Sequence, residues 1–366
     1  MATNWKRTLV KFLTWFFGLF VVYIIIVLIH GTLTDYQPED KTALEPLNRS
    51  TTELLRDSVF SFTIWNIGYA GLGKESELFY DSRGSLIAAG KMIRAPRQAV
   101  DKNLQAAANL VTSIKSDFFL FQEIDVESKR SYYTDQVEVV AENLPDFSVY
   151  FAPNFNVRRM PIPILEPWHV YGKAHSGLGT FARFQPRESE RLSLPGTFSW
   201  PTRVFQLDRC AALHRFSHKN GKDLVVVNIH LSAYDQNGGL KKAQMDFLRA
   251  MVLEEYKRGN YVVVGGDWNQ CPPYFQFDGF MPGRTQGYSQ INIDPSFLPS
   301  DWRWVYDPTV PTNRKTKTPY QPGETFVTLI DFFLISPNLK VRSVKGLNQG
   351  FQFSDHQPVW MEVALD

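Results

Sequence analysis

The longest apolar segment of the chain lies close to its N-terminus. Residues 12–29 read FLTWFFGLFVVYIIIVLI, and no charged residue occurs between Phe12 and Thr34. At a rise of about 1.5 Å per residue, roughly 20 such residues cross the hydrocarbon core of a bilayer. Three basic residues precede the segment, and acidic residues follow it from Asp35 onwards. The pattern predicts a single-pass signal-anchor that leaves the N-terminus in the cytoplasm and the rest of the chain outside it.

Two alternatives to this uncleaved anchor stay open. A cleaved signal peptide would have a shorter apolar core and small residues at its cleavage site, which residues 29–32 provide poorly. A buried helix of a soluble domain is the other alternative, but the segment is long enough to span a bilayer. We therefore assign residues 1–34 to a cytoplasmic tip and a transmembrane helix.

The pattern changes after this segment. Residues 35–57 are polar and contain two prolines, so we expect a stalk. From residue 58 to residue 366, short apolar runs typical of strands alternate with amphipathic stretches typical of helices. The predicted strands lie near 58–66, 118–121, 148–152, 179–184, 204–216, 223–230, 261–264, 328–335 and 357–363, and the predicted helices near 97–116, 132–144 and 240–257. The pattern predicts one α/β catalytic domain over residues 58–366.

Composition and charge narrow the class of protein. Apolar residues make up 44% of the chain and charged residues 21%, which is ordinary globular usage. Without the three basic residues of the first 34, the chain has 36 basic and 37 acidic residues, a formal charge of −1. A nucleic-acid clamp usually needs clustered positive charge, so nucleic acid is a conceivable but not a favoured partner. The only cysteines, Cys210 and Cys271, are expected to be free and mostly buried, and nothing in the sequence indicates an obligate protein partner.

Polar residues stand at the ends of several predicted strands. They are Asn66, Gln122-Glu123, Asn228-Ile229-His230, Asp267-Trp268-Asn269, Asp331 and Ser354-Asp355-His356. Each group alone is more often a turn or cap than a catalytic site. In α/β proteins, however, binding sites form at strand ends, so the set as a whole indicates one site.

In combination and order, these groups resemble the DNase I-like endonuclease/exonuclease/phosphatase superfamily. The family pattern is a strand-end Asn, Gln-Glu, Asn-x-His, Gly-Asp-x-Asn, a late Asp and a final Ser-Asp-His. The resemblance covers residues 58–366. It implies a four-layer α/β sandwich, in which helices flank two facing mixed sheets, and a hydrolase that cuts phosphate esters with Mg²⁺ or Mn²⁺.

The resemblance also implies roles for single residues. Glu123, with Asn66 beside it and Asp355 nearby, would bind the metal, and oxygen ligands of this kind suit a hard cation. Asp331 would orient His356, and either Asp267 or His356 would be the general base for the attacking water. Asn66, Asn269 and His230 would contact the phosphate, and His230 would also assist the leaving oxygen.

The substrate is less well indicated. The final Ser-Asp-His differs from the Cys-Asp-Arg of inositol polyphosphate phosphatases, and Asp125 stands where some nucleases of the family have Arg. His230 resembles the DNase and neutral sphingomyelinase branches. Residues 158–184 match no family motif as far as about His175; we interpret them as a packed loop, and the alternative is a substrate lip with Trp168, Tyr171 and Lys173.

We expect a membrane-anchored phosphoesterase that favours a phosphodiester, for example in a lipid headgroup. The alternatives are an extracytoplasmic nuclease and a catalytically silent binding module of the same fold. The intact set of polar residues argues against a silent module.

Overall fold

Two seven-stranded mixed sheets face each other in the computed structural model, which describes residues 2–80, 84–233, 238–276, 279–281 and 290–366. The first sheet has the order β1-β7-β8-β9-β10-β14-β11, and the second has the order β15-β16-β3-β4-β6-β5-β2. A separate two-stranded sheet pairs β12 with β13. The strands are β1 Lys41–Ala43, β2 Pro46–Asn48, β3 Val59–Asn66, β4 Phe118–Asp125, β5 Ser148–Met160, β6 Gly172–Ala182, β7 Glu188–Ser193, β8 Cys210–Ser217, β9 Asp223–His230, β10 Tyr261–Asp267, β11 Arg303–Val305, β12 Asn313–Arg314, β13 Val327–Thr328, β14 Asp331–Ile335, β15 Leu339–Gly346 and β16 Val359–Leu365.

Helices cover the outer faces of both sheets. The helices are α1 Ala2–Leu33, α2 Arg97–Ser113, α3 Gln136–Ala141 and α4 Gly239–Lys257. Apolar side chains of α2 and α3 pack on the outer face of the β3–β4 sheet, and those of α4 pack on the outer face of the β9–β10 sheet. The four-layer α/β/β/α sandwich expected from the sequence is therefore confirmed.

A third apolar cluster fills the space between the sheets. Phe62 and Ile64 of β3 pack there with Val263 of β10 and Phe333 of β14, all fully buried. Burying one such side chain contributes about 1.5–3 kcal/mol. Gly265 brings the sheets close, since a Cβ there would lie 2.8 Å from Ile64 Cγ2. This cluster fixes the distance between the sheets and hence between the polar groups at their ends.

The predicted stalk does not stand apart from the domain. β1 pairs with β7 at the edge of one sheet, and β2 pairs with β5 at the edge of the other. Residues 41–48 therefore contribute one short strand to each sheet. The stalk prediction is wrong for these residues. Three-residue edge strands are held by backbone hydrogen bonds, and their exposed side chains leave no apolar pattern in the sequence.

The packed loop predicted over residues 158–184 is also corrected. β5 and β6 form one long antiparallel hairpin, and only residues 161–171 connect the two strands. Register shifts after Pro153 and Val157 break the alternation of apolar and polar residues. The sequence pattern therefore predicted only residues 148–152 and 179–184 as strands and missed the extension of both strands towards the connection.

The N-terminal helix contacts the domain at its C-terminal end. The indole nitrogen of Trp200 donates to Thr32 Oγ1 at 3.1 Å, and the Phe205 ring lies against Gly31. Residues Trp5–Leu33 are long and apolar enough to cross a membrane, a property that a signal sequence shares. Cys210 and Cys271 are both buried free thiols, as expected.

Gly266 provides a test of how closely β9 and β10 approach. Its φ is +144°, and a Cβ there would lie 2.1 Å from the backbone oxygen of Ile229. Gly266→Ala should therefore lower the free energy of unfolding by about 3 kcal/mol or more. Gly239→Ala is the matched control, because a Cβ there meets nothing within 4 Å. Urea unfolding of the full chain in detergent measures both, and a Gly266→Ala variant as stable as the control would contradict this packing.

Candidate active site

The topology brings the predicted polar residues to one edge of the sandwich. β3 and β4 are parallel, with Asn66 opposite Gln122, and β9 and β10 are parallel, with His230 opposite Asp267. β14 runs antiparallel to β10 and starts opposite Asp267. Likewise, β16 runs antiparallel to β3, so the residues just before it arrive at the same edge. The carboxyl ends of four strands and the amino ends of two others thus form one site.

A buried amide pair joins the two sheets directly behind this site. Gln122 Nε2 donates to Asn228 Oδ1 at 2.7 Å, and Asn228 Nδ2 donates to the backbone oxygens of Phe121 and Gly179. Both amides are fully buried. Each amide precedes a site residue on its own strand: Glu123 directly follows Gln122, and His230 comes two residues after Asn228. We therefore assign Gln122 and Asn228 a positioning role, which the sequence pattern did not specify.

Glu123 projects into the pocket from a bulge. The register between β4 and β6 shifts after Phe121, and Glu123 has a φ of +50°, which is rare for Glu. This strained backbone turns the carboxylate away from the sheet, where its side chain keeps 26% exposure. Asn66 Nδ2 donates to Glu123 Oε1 at 3.3 Å and to Asp267 Oδ2 at 3.1 Å. Strain that persists at such a position is typical of functional sites.

Asp267 and His230 form the floor of the pocket. Asp267 Oδ1 accepts from the backbone nitrogen of Asn269 at 2.9 Å, and Asp267 Oδ2 lies 3.5 Å from His230 Nε2. His230 Nε2 is also 3.9 Å from Glu123 Oε1. The Asn269 amide donates to the backbone oxygen of Leu231 at 2.9 Å. The pocket has a volume of about 360 Å³ and includes all four side chains in its lining.

His356 is held in place from three sides. Its Nδ1 lies 2.8 Å from Asp331 Oδ2, and both residues are buried. The Trp65 indole donates to the backbone oxygen of His356, and the Ser354 hydroxyl accepts from the backbone nitrogen of His356. The Asp331–His356 pair anticipated from the family pattern is thus in hydrogen-bonding contact.

The surroundings of His230 and His356 shift the pKa values of these two histidines in opposite directions. Burial, followed by the nearby cations Arg209 and His356, lowers the pKa of His230 well below its ordinary value. Burial also disfavours the charged form of His356, but the carboxylates around it, Asp331 foremost, outweigh burial and raise its pKa well above the ordinary value. Burial and the charge of Asp331 raise the pKa of Asp267 to about 6. The pKa values of the two histidines that line this pocket are therefore shifted in opposite directions.

Two residues of the site were not found from the sequence. Asn313 Nδ2 lies 2.9 Å from His356 Nε2, the ring nitrogen that faces the pocket. Arg130 stacks on the Tyr69 ring at 3.7 Å and forms a double hydrogen bond with buried Asp125. Asn313 lies outside the family motifs, and Arg130 is remote in sequence from Tyr69, so only the fold reveals either contact.

The donor atoms fit a divalent cation. Glu123 and Asp355 offer carboxylate oxygens at the pocket, and such ligands suit Mg²⁺ or Mn²⁺. Asn66 lies beside Glu123, but its Oδ1 accepts from the backbone nitrogen of Gly68. A second cluster, Asp267, Asp331 and His356, also has donor atoms within 4.8 Å of one another. A metal there would replace the Asp331–His356 hydrogen bond, so the oxygen ligands Glu123 and Asp355 fit better.

This fold and this site agree with the sequence comparisons. The Endonuclease/Exonuclease/phosphatase family matches residues 64–356, which is more than half of the chain. The chain belongs to this family, whose members hydrolyse phosphoesters, and is a phosphoester hydrolase. No curated protein sequence matches the chain.

Solved structures show the same fold at low sequence identity. An endonuclease/exonuclease/phosphatase from Beutenbergia cavernae is 19% identical with a TM-score of 0.55, over 84% of this chain and 72% of that one. ANGEL2, described as a 2′,3′-cyclic phosphatase, is 14% identical with a TM-score of 0.52, over 90% and 99%. The human Nocturnin catalytic domain is 16% identical with a TM-score of 0.50, over 88% and 98%. These likenesses establish the fold alone.

The Asp331–His356 hydrogen bond predicts non-additive losses. His356→Ala should lower turnover by about 10²–10⁴-fold, the usual contribution of a positioned acid or base. Asp331→Asn should cost a similar factor, because an amide cannot support imidazolium charge, and the double variant should be little worse than either single one. Steady-state kinetics measure this, with Asp301→Asn, an exposed Asp, as control. Losses that multiply in a folded double variant would show that the residues act independently.

Glu123→Gln tests the metal ligands. The change keeps the shape and removes the charge, so Mn²⁺ affinity measured by calorimetry should fall by more than about tenfold. Glu127→Gln is the control, since Glu127 is exposed and pairs with Lys173. Wild-type affinity in Glu123→Gln, with circular dichroism unchanged, would remove Glu123 from the metal site.

Proposed function

We propose that this chain is a membrane-anchored, divalent-metal-dependent phosphodiesterase whose catalytic domain lies outside the cytoplasm. One observation carries the catalytic part of the proposal. A single pocket gathers two carboxylates suited to a cation, Glu123 and Asp355, together with His230 and with His356, which is hydrogen-bonded to Asp331. Hydrolysis of a phosphate ester needs such a combination of charge neutralisation and proton transfer.

Each side chain has a place in an in-line displacement. Asp267 Oδ2 and His356 Nε2 lie 3.8 Å apart. The carboxylate of Asp267 would receive the proton of the attacking water, while the raised pKa of His356 favours a positive charge beside it. Asp331 orients His356 and balances its charge. His230 and Asn269 are placed to contact the phosphate oxygens. Asn66 holds the carboxylates of Glu123 and Asp267 in position.

Glu123 and Asp355 would hold the cation. When bound, Mg²⁺ or Mn²⁺ polarises a phosphoryl oxygen and neutralises charge that develops in the transition state. The strained backbone of Glu123 supports this assignment, since it aims an otherwise solvent-seeking carboxylate at the pocket.

The charges of the pocket favour a diester over a monoester. Arg130 is neutralised by Asp125, and Arg314 donates to the backbone oxygens of Leu72 and Gly73. Two guanidiniums of the pocket lining are thus engaged by the protein. A singly charged phosphodiester needs less compensation than a doubly charged monoester.

A hydrolysis panel tests the proposed function. The full chain in detergent is assayed with Mg²⁺ or Mn²⁺ on bis(p-nitrophenyl) phosphate, p-nitrophenyl phosphate, DNA, RNA, sphingomyelin and phosphatidylinositol phosphates. We expect metal-dependent turnover of the chromogenic diester and at least one natural diester, with EDTA and His356→Ala abolishing it. Turnover of DNA or RNA alone would establish the nuclease alternative. No turnover of any substrate with either metal would refute the proposed function.

Topology forms a separate prediction. Basic residues precede the apolar segment of α1 and acidic ones follow it, so the domain should lie outside the cytoplasm. Protease added to spheroplasts should digest the domain, and mass spectrometry should find α1 still attached. Complete protection of the domain until the membrane is lysed would show the opposite orientation. A mature chain that lacks α1 would show that the segment is a cleaved signal peptide and not an anchor.

A further inference from the structure

An apolar cavity lies between the N-terminal helix and the catalytic domain. Its volume is about 480 Å³. Tyr23 and Val27 of α1 line one side, while Met160 and Ile164 of the β5–β6 hairpin and Phe205 line the other. A void of this size between a candidate membrane helix and the domain is open to an apolar ligand that enters from a bilayer.

The cavity adjoins the active-site pocket. Six residues line both spaces, namely Leu78, Arg130, Phe155, Tyr171, Leu207 and Arg209. A molecule whose phosphate lies at Glu123 and His230 can therefore extend an apolar part past this shared wall. The charge of Arg130 is balanced by Asp125, and Arg209 adds a positive charge to this shared wall, where a phosphate group would meet an apolar chain.

Exposed apolar side chains lie close in sequence to residues that line the cavity. Leu86, Leu165 and Trp168 are 56%, 48% and 78% exposed, and the backbone nitrogen of Leu165 donates to the backbone oxygen of Leu86. Trp200 is 55% exposed and bonds to Thr32 at the end of α1. We call Leu86, Leu165, Trp168 and Trp200 the apolar rim. Tryptophans at the end of a membrane helix are typical of the bilayer interface.

We propose that the cavity binds an acyl chain of a membrane lipid whose phosphodiester headgroup lies in the active-site pocket. The lipid comes from the bilayer that holds α1, and the apolar rim inserts into the interface of that bilayer. This inference rests on the proposed function and names its substrate class. Burial of each methylene in the cavity favours binding of long chains. A nucleic acid would instead require a positive cleft, whereas residues 35–366 carry a formal charge of −1.

Filling the cavity tests the inference. Ile164 is half-buried, and Ile164→Trp would narrow the cavity from the hairpin side. Leu47→Trp is the control, because Leu47 is exposed on the edge strand β2 and lies outside both spaces. The full-length variants are reconstituted in vesicles of phosphatidylcholine, phosphatidylethanolamine, phosphatidylglycerol and sphingomyelin. Hydrolysis of each lipid is compared with its dihexanoyl analogue and with bis(p-nitrophenyl) phosphate.

The wild type should prefer at least one long-chain lipid over its dihexanoyl analogue by tenfold or more in kcat/KM. Ile164→Trp should lose that preference while hydrolysing bis(p-nitrophenyl) phosphate within twofold of wild type, and Leu47→Trp should keep both activities. If Ile164→Trp does not fold, Ile164→Phe makes the same comparison with a smaller side chain.

Three results would overturn the inference. Equal rates on long and short chains, or equal losses on lipid and chromogenic diester in a folded Ile164→Trp variant, would show that the cavity holds no acyl chain. Turnover of DNA or RNA without any lipid would do the same and would leave the phosphodiesterase itself standing. Failure to hydrolyse even the chromogenic diester would instead refute the proposed function.

Discussion

The hydrogen bond between Gln122 and Asn228 is the contact on which the site depends. It joins the two sheets at 2.7 Å between fully buried side chains, and the Asn228 side-chain nitrogen donates to backbone oxygens of the opposite sheet. A buried amide without such partners costs about 1–3 kcal/mol. The bond therefore favours one relative position of the two facing sheets. In that position, Glu123 Oε1 lies 3.9 Å from His230 Nε2.

The site concentrates like charges that the fold must keep together. Asp267 and Asp331 are both buried and lie opposite each other on neighbouring strands. Burial, followed by repulsion from Asp331, raises the pKa of Asp267 to about 6, and His356 lies between the two carboxylates. Asn66 and the backbone nitrogen of Asn269 add hydrogen bonds to Asp267. The same arrangement that makes these groups costly to bury gives them the charges that phosphoester hydrolysis needs.

Residue order and strand ends were enough to predict one α/β domain with a shared site, and the resemblance to the family implied the four-layer class. The sequence pattern succeeded where strands are buried on both faces, as in β4 and β10. It failed at β1 and β2 and at the inner halves of β5 and β6, where backbone pairing and register shifts determine structure without an apolar repeat. It could not find Asn313 or Arg130, because their partners are remote in sequence. The apolar cavity was likewise invisible, since it forms between α1 and a hairpin more than a hundred residues later.

The position of the metal tests the central claim most directly. Anomalous diffraction from crystals of the full chain soaked in Mn²⁺ locates the ion without any assay of activity. The account predicts that the strongest peak lies within about 2.3 Å of carboxylate oxygens of Glu123 and Asp355, at the distances usual for small hard cations. The Asp331–His356 hydrogen bond should stay intact at 2.8 Å. A peak bonded to Asp267, Asp331 and His356 in place of that hydrogen bond would contradict the account.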